Sequence, residues 1–362
     1  MPYQTIQEGS ALIKAPKLEK ISKELPVFYN PAMKLNRDIS IWLLNTIEKE
    51  KMQICLPLAA TGVRGIRFVK ELQKGKIKTL VMNDRNHLAY KLMQENLKLN
   101  GIKKGKNLSI NKKDATILLM ESAGFDYIDI DPFGTPNPFL DSALAKIARE
   151  GILAVTATDT SALSGTYPRA CLRKYWAMSL RNELKHEIGI RILIRKVQLV
   201  AAHHRKAAIP LLSYADQHYM RVFFSVAKGK EKADTLLKQH QYFLYCDGCM
   251  GRKISEENGG GCSCGEKYTI AGPLWTGMLW NEQLLKKANS IPLLQALKEE
   301  ATIAVVGFYD LHKIAEQYKR SCPKMDWLLE RVREKGYAAA RTHFTSSGIK
   351  TDMPLEEFLR LW

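Results

Sequence analysis

The chain has 362 residues, 46% of them hydrophobic, enough for two domains of ordinary size with real cores. Lys and Arg outnumber Asp and Glu by 55 to 37, a formal charge of +18 that favours a polyanionic partner, though charge cannot separate RNA from DNA. No apolar run reaches the roughly 18 residues that a membrane span needs, and MPYQTIQEGSALIKAPKLEK at the N-terminus lacks the apolar core of a secretory signal, so a cytoplasmic protein is expected.

In chain order, LPVFYNPAMKLNRD (25–38) reads as a loop and ISIWLLNTIEKE (39–50) as a helix. From 52 to 158 short apolar strands alternate with helices. The strands are MQICLPL (52–58), KTLVMND (78–84), FDYIDID (125–131) and GILAVTAT (151–158). The helices are RGIRFVKELQK (64–74), NHLAYKLMQENLKLN (86–100) and PFLDSALAKIARE (138–150). This alternation predicts a parallel, doubly wound sheet with ligands at the carboxyl ends of its strands. A long helical stretch is expected over 173–204, then a strand at 218–229. After Pro273 comes a helix-rich tail with helices at 310–319, 324–336 and 355–362.

Between the first strand and its helix, LPLAATGVRGIRF places Ala59, Ala60, Thr61, Gly62 and Gly65 where a ligand can approach backbone and helix N-terminus. The stretch is not a G-x-G-x-x-G fingerprint. The next strand ends in Asp84, positioned to accept from a ribose diol. NKKDATILL puts Asp114 and Ala115 at another strand end, where a carboxylate accepts from an adenine amine and a backbone N–H faces the ring. An adenosine-type ligand fits better than an anionic dinucleotide, because no phosphate cradle is present.

The third acid at a strand end is Asp131, in DIDPFGTP. Asp131-Pro132-Phe133-Gly134 is similar to the signature of enzymes that methylate exocyclic amino groups of bases. The lone pair of an aryl amine is delocalised into the ring. A carboxylate that accepts an N–H hydrogen bond helps pyramidalise the nitrogen and takes up developing positive charge. Pro132 fixes the turn, and Phe133 offers a stacking surface for an extruded base. Asp129, two residues back on the same strand face, is a candidate supporting hydrogen-bonder.

Residues 169–238 hold 15 Lys and Arg against 5 Asp and Glu, an excess of ten out of the chain's eighteen. Of seven cysteines, Cys246, Cys249, Cys262 and Cys264 crowd into CDGCMGRKISEENGGGCSCG. C-x2-C followed by C-x-C supplies four thiolates, a set suited to tetrahedral, structural zinc. His203 and His204 are read as solvent or phosphate contacts rather than a second metal site. In the tail, the hydroxyl-rich RTHFTSSGIKTD (341–352) suits phosphate contacts within a small winged-helix-like or other compact RNA-reading unit.

Five segments together resemble the tRNA (guanine-N2)-dimethyltransferases, in a form nearest their archaeal members: VFYNPAMKLNRD (27–38), AATGVRGIR (59–67), DIDPFGTP (129–136), the cysteine cluster and RTHFTSSGIKTD. The resemblance implies an α/β class I (Rossmann-like) S-adenosylmethionine-dependent methyltransferase with a four-cysteine zinc element and a smaller helix-rich C-terminal domain. It also implies methylation of N2 of guanine 26 in tRNA to N2,N2-dimethylguanosine. Domains are expected at 1–240 (methyltransferase, with an N-terminal substrate and cofactor loop), 241–270 (zinc element) and 271–362 (tRNA binding). By the same resemblance, Arg37 and Arg67 hold the cofactor's methionine carboxylate, Asp84 its ribose, and Asp114 and Ala115 its adenine. Asp131 is the acceptor, with Phe133 and Phe28 flanking the flipped guanine, and Arg64 can share or exchange the role of Arg67. Leu56 departs from the family, whose members commonly carry an acid in that first strand. tRNA is the expected partner, without membrane and with no obligate protein partner evident. Two other readings stay open: another RNA or DNA amino-group methylase, and a zinc-containing RNA-binding protein on an inactive methyltransferase scaffold.

Overall fold

The structure, a computed structural model, describes residues 3–17, 27–216 and 218–362. Leu25 and Pro26, at the start of the expected loop, lie outside the described residues. The chain divides into two compact units: Met1–Thr156 with Phe224–Lys228, and Ala157–Phe223 with Gly229–Trp362.

The first unit opens with an antiparallel hairpin, β1 (Tyr3–Glu8) and β2 (Ala11–Pro16). Ala11, Ile13 and Ala15 are fully buried while the residues between them face outward, the period of a half-buried strand. Then follow α1 (Lys34–Thr46), β3 (Met52–Leu56), α2 (Val63–Glu71), β4 (Ile77–Asn83), α3 (His87–Leu99), β5 (Leu108–Asn111), α4 (Ala115–Glu121), β6 (Phe125–Ile130), α5 (Asn137–Lys146) and β7 (Ile147–Ala157). Strands β3 to β7 pair in parallel in the order β5-β4-β3-β6-β7, and the later segment Phe224–Lys228 continues the unit. Ile54, Cys55, Tyr127, Ile128 and Ile130 have no exposed surface, as central strands covered on both faces require. The strand order reverses between β3 and β6, and their carboxyl ends form the switch point where such sheets bind ligands.

The helix expected over 138–150 stops at Lys146. Ile147 pairs with Phe125 instead, so the IARE segment enters β7 despite its helical composition. Tertiary pairing overrides local propensity there. Gly65, expected to make room for a ligand, makes room for the sheet: a Cβ there would lie 2.1 Å from Met82 Sδ and 3.2 Å from Leu56 Cδ1.

The chain continues with α6 (Thr160–Leu163), α7 (Pro168–Tyr175), α8 (Lys185–His203), β8 (Lys206–Asp216), β9 (Tyr219–Lys228), α9 (Lys230–Leu237), β10 (His240–Tyr245), β11 (Arg252–Ser255) and β12 (Thr269–Trp275). After them come α10 (Glu282–Leu285), α11 (Pro292–Glu300), β13 (Tyr309–Asp310), α12 (Leu311–Tyr318), α13 (Met325–Glu334), β14 (Ala339–Arg341), β15 (Gly348–Thr351) and α14 (Leu355–Arg360). The single helical stretch expected over 173–204 is two helices. Trp176 takes a left-handed conformation (φ 56°), and Met178 exchanges two backbone hydrogen bonds of 2.7 Å with Gly272 before α8 begins.

In the tail, α11, β13, α12, α13, β14 and β15 follow one another and the sheet order is β13-β15-β14, the chain order and strand order of a winged helix. Within its RTHFTSSGIKTD segment the hydroxyls of Thr342 and Ser347 are engaged internally, while Ser346 is exposed. Thr342 Oγ1 donates to Glu300 at 2.7 Å, His343 Nδ1 lies 2.7 Å from the same carboxylate, and Ser347 Oγ donates to Asp310 at 2.8 Å. Lys350 is buried and donates to Glu187 at 3.0 Å, beside Arg191. Buried carboxylates claimed these polar groups, because none could be left unpaired inside the unit.

Candidate active site and zinc-binding element

The carboxyl ends of β5, β4, β3 and β6 carry, in that spatial order, Asp114, Asp84, the loop from Pro57 to Gly62, and Asp131. Four adjacent strand ends span three strand spacings, about 14 Å. Asn83 ties the row together. Its Nδ2 donates to the carbonyls of Pro57 and Lys113, and its Oδ1 accepts from Lys113 N, each at 2.9 Å.

Asp114 caps α4, its Oδ1 accepting from Thr116 N at 2.9 Å, while Oδ2 has no partner among the described residues. Ala115 is buried at the helix start. Asp84 accepts from Ala60 N (3.0 Å) on Oδ2 and from Asn86 N (2.9 Å) on Oδ1. Burial raises its pKa above the usual carboxylate value, against the lowering effect of those two N–H groups and Arg85. Each oxygen keeps lone-pair capacity for a hydroxyl donor. The donor set fits an adenosine moiety: a free carboxylate oxygen beside a helix start, then a second acid, with no phosphate cradle.

At β6, Tyr127, Asp129 and Asp131 alternate onto one face. Tyr127 Oη donates to Asp129 Oδ2 at 2.6 Å, and Asp129 is buried. Asp131 Oδ2 pairs with Arg64 Nη2 at 2.6 Å, while Arg64 Nη1 lies 3.4 Å from Asp129 Oδ2. Phe133 is exposed and meets Phe28 edge to face, with ring centroids 4.0 Å apart and planes at 67°. A base stacked between two rings needs about 7 Å, two van der Waals separations. The two rings are brought together without that slot.

Arg37 and Arg67 converge on one buried carboxylate that sequence reasoning did not single out, Glu8 at the end of β1. Tyr29 Oη also donates to Glu8, at 2.9 Å. Arg67 further pairs with Asp38 (2.6 Å) and Glu71 (2.8 Å), so each of its nitrogens is engaged. Arg37 keeps Nη1 without a partner among the described residues. Burial alone would raise the Glu8 pKa, but the Arg37 and Tyr29 hydrogen bonds and the Arg67 charge lower it on balance. Arg64 does not share this cluster; it serves Asp131. The only signal for Glu8 in the sequence is an acid immediately before Gly9, whose positive φ of 55° turns the hairpin.

In the second unit, the sulfurs of Cys246, Cys249, Cys262 and Cys264 all lie within 4.8 Å of one another. The closest approaches are 3.4 Å (Cys246–Cys264) and 3.5 Å (Cys249–Cys262). Zinc–sulfur bonds of about 2.3 Å in a tetrahedron separate sulfurs by about 3.8 Å, so the set fits zinc. Two backbone knuckles shape it. Cys246 N donates to Gly251 O and Cys262 N to Glu266 O, both at 2.8 Å. With four thiolates, no coordination position remains for chemistry, and the site is structural.

A family model described as "N2,N2-dimethylguanosine tRNA methyltransferase" matches residues 9–362. The tRNA (guanine(26)-N(2)/guanine(27)-N(2))-dimethyltransferase of Aquifex aeolicus is 40% identical over 99% of this chain and 95% of its own length. The tRNA (guanine(26)-N(2))-dimethyltransferase of Methanobrevibacter smithii is 41% identical over 98% and 95%. The structure of Trm1 from Pyrococcus horikoshii with S-adenosyl-L-methionine superposes with a TM-score of 0.87 at 38% identity, covering 99% of both chains.

Proposed function

Since the chain belongs to the N2,N2-dimethylguanosine tRNA methyltransferase family, we propose a residue-level account of its reaction. The protein is an S-adenosyl-L-methionine-dependent tRNA (guanine26-N2)-dimethyltransferase. S-adenosyl-L-methionine supplies a methyl group made electrophilic by its sulfonium. Asp114 and the Ala115 backbone hold the adenine, Asp84 the ribose, and Arg37 with Arg67 the methionine carboxylate. This order follows the strand ends towards β6, where Asp131 waits.

Asp131 accepts an N–H of the guanine amine, favouring a pyramidal nitrogen, and takes its proton as the N–C bond forms. Water then removes that proton. Phe133 gives the extruded base a stacking face, and Phe28 must swing away if it is to cover the other side. The observation that carries this reading is the position of Asp131: the switch point of the sheet, partly exposed, with Oδ1 unpartnered among the described residues. The zinc held by the four cysteines keeps β10, β11 and the following loop in place. The tRNA lies on the second unit, on the exposed basic residues of α7 and on the tail 271–362. No helix of the described residues is long and apolar enough to cross a membrane.

The test is nucleoside mass spectrometry of an unmodified tRNA transcript after incubation with the enzyme and S-adenosyl-L-methionine. A transcript with guanine 26 changed to adenine runs beside it. Dimethylguanosine from the first and none from the second supports the reading; an unchanged product on the adenine transcript moves the target elsewhere.

A further inference from the structure

Asp131 has one oxygen committed and one open. Oδ2 takes a 2.6 Å hydrogen bond from Arg64 Nη2, and Oδ1 has no partner among the described residues. Arg64 is not an incidental surface ion pair, since it is only 8% exposed. Its Nη1 donates to Ser40 Oγ and its Nη2 to Asn36 Oδ1, both at 2.9 Å, and Ser40 Oγ donates back to Asn36 O at 2.8 Å. Both partners lie on α1. Asp129, tied to Tyr127, faces the same guanidinium. The fork is therefore held from α1 and β6 at once, in one orientation.

That arrangement matters for guanine. A carboxylate with two free oxygens can grip the parallel N1–H and N2–H of a guanine edge with both, in the plane of the base. Such a grip binds the ground state well and keeps the amine planar, its lone pair delocalised. Uniform binding of that kind adds nothing to the chemical step.

We propose that Arg64 is a positioning residue that engages Oδ2 of Asp131 and fixes the carboxylate so that Oδ1, the oxygen without a protein donor among the described residues, is the preferred acceptor for an N2–H in both methyl transfers. The inference rests on Asp131 being the acceptor. In each transfer the N2 lone pair forms the bond to the methyl carbon, the carbon–sulfur pair returns to sulfur, and the N2 proton passes to Oδ1 and then to water. Guanine uses one of its two N–H groups in the first transfer. N2-methylguanine has one left, and a single acceptor suffices for it.

The experiment compares Arg64→Gln, Arg64→Lys and Asp131→Asn with the parent protein. Single-turnover rates of the first and second methylation are measured on a guanine 26 transcript, together with dissociation constants for S-adenosyl-L-methionine and tRNA. In Arg64→Gln both transfers slow by about 10- to 100-fold, the cost of a misplaced catalytic group. The two affinities stay within about twofold of the parent or tighten, which a merely structural loss would not produce. Arg64→Lys, with a charge but no fork, recovers part of the rate. If Arg64→Gln does not fold, Arg64→Lys alone decides: a parental rate overturns the proposal, and a slowed rate with parental affinities supports it. Parental rates in Arg64→Gln overturn it too. Should Asp131→Asn keep its activity, the acceptor reading itself fails; an inactive Asp131→Asn beside an unimpaired Arg64→Gln sinks only the role of Arg64.

Discussion

Glu8 meets Arg37 in a two-point fork, Nε to Oε1 and Nη2 to Oε2, each at 2.6 Å, and Arg67 closes on Oε1 at 3.1 Å. Two arginines assigned to the cofactor carboxylate thus share an internal acid that orients them and offsets part of their charge. Removing one partner of a buried pair leaves an uncompensated charge and costs about 3–5 kcal/mol. Glu8→Ala is expected to lose about that much stability in denaturant unfolding and to weaken S-adenosyl-L-methionine binding in calorimetry. A loss below about 1 kcal/mol, the range of exposed pairs, contradicts the role given to Glu8.

Acid should find these carboxylates late. The Glu8 pKa is lowered on balance, and the fully buried Glu187 is brought down to about 2: burial opposes ionisation, but Lys350 and Arg191 outweigh it. A depressed folded pKa means that the stabilisation is complete above the unfolded value of 4.5 and is lost as pH falls towards about 2. Unfolding midpoints measured from pH 7 to 3 should hold level to about 5 and then fall. Glu187→Gln should start lower and show a shallower fall; a parallel curve means Glu187 does not contribute.

Zinc removal tests the cysteine cluster. Binding energy at a structural zinc site is folding energy. Chelation should therefore lower the melting temperature of the second unit and release one zinc per chain in a colorimetric assay, with Cys249→Ser giving the same effect. Catalysis by residual folded protein is expected to persist. Loss of chemistry without loss of structure would argue against a structural role.

The exposed face of α7 offers Arg169 and Arg173 beside Tyr167, Leu172 and Trp176. Cations interleaved with aromatic rings suit RNA. Arg169→Ala and Arg173→Ala are each expected to weaken tRNA binding and to reduce the salt slope of the association constant by about 1. S-adenosyl-L-methionine affinity should not change. An unaltered slope places the phosphate contacts elsewhere.

Local chemistry made part of this molecule readable. Apolar runs that end in acids mark strands of the sheet, and Asp84, Asp114 and Asp131 follow β4, β5 and β6; β4 and β5 are neighbours, while β3 lies between β4 and β6. The cysteine cluster is local as well. What escaped depends on distant partners. The β1–β2 hairpin exists because α3 receives it, Asn96 Oδ1 accepting from Lys14 N across 82 residues, and so Glu8 reaches Arg37. Arg64 and Arg67 lie three apart on one helix and share a face, so nothing local tells which one serves Asp131. The hydroxyls of Thr342 and Ser347 looked available until the fold brought Glu300 and Asp310 beside them.

The most direct measurement is nucleoside mass spectrometry of the guanine 26 transcript with the parent protein and Asp131→Asn, each shown to bind S-adenosyl-L-methionine. The account predicts N2,N2-dimethylguanosine from the parent, and neither mono- nor dimethylguanosine from the variant, whose side chain keeps its size but loses the acceptor charge. Dimethylguanosine formed by Asp131→Asn at a rate near the parent's would contradict it.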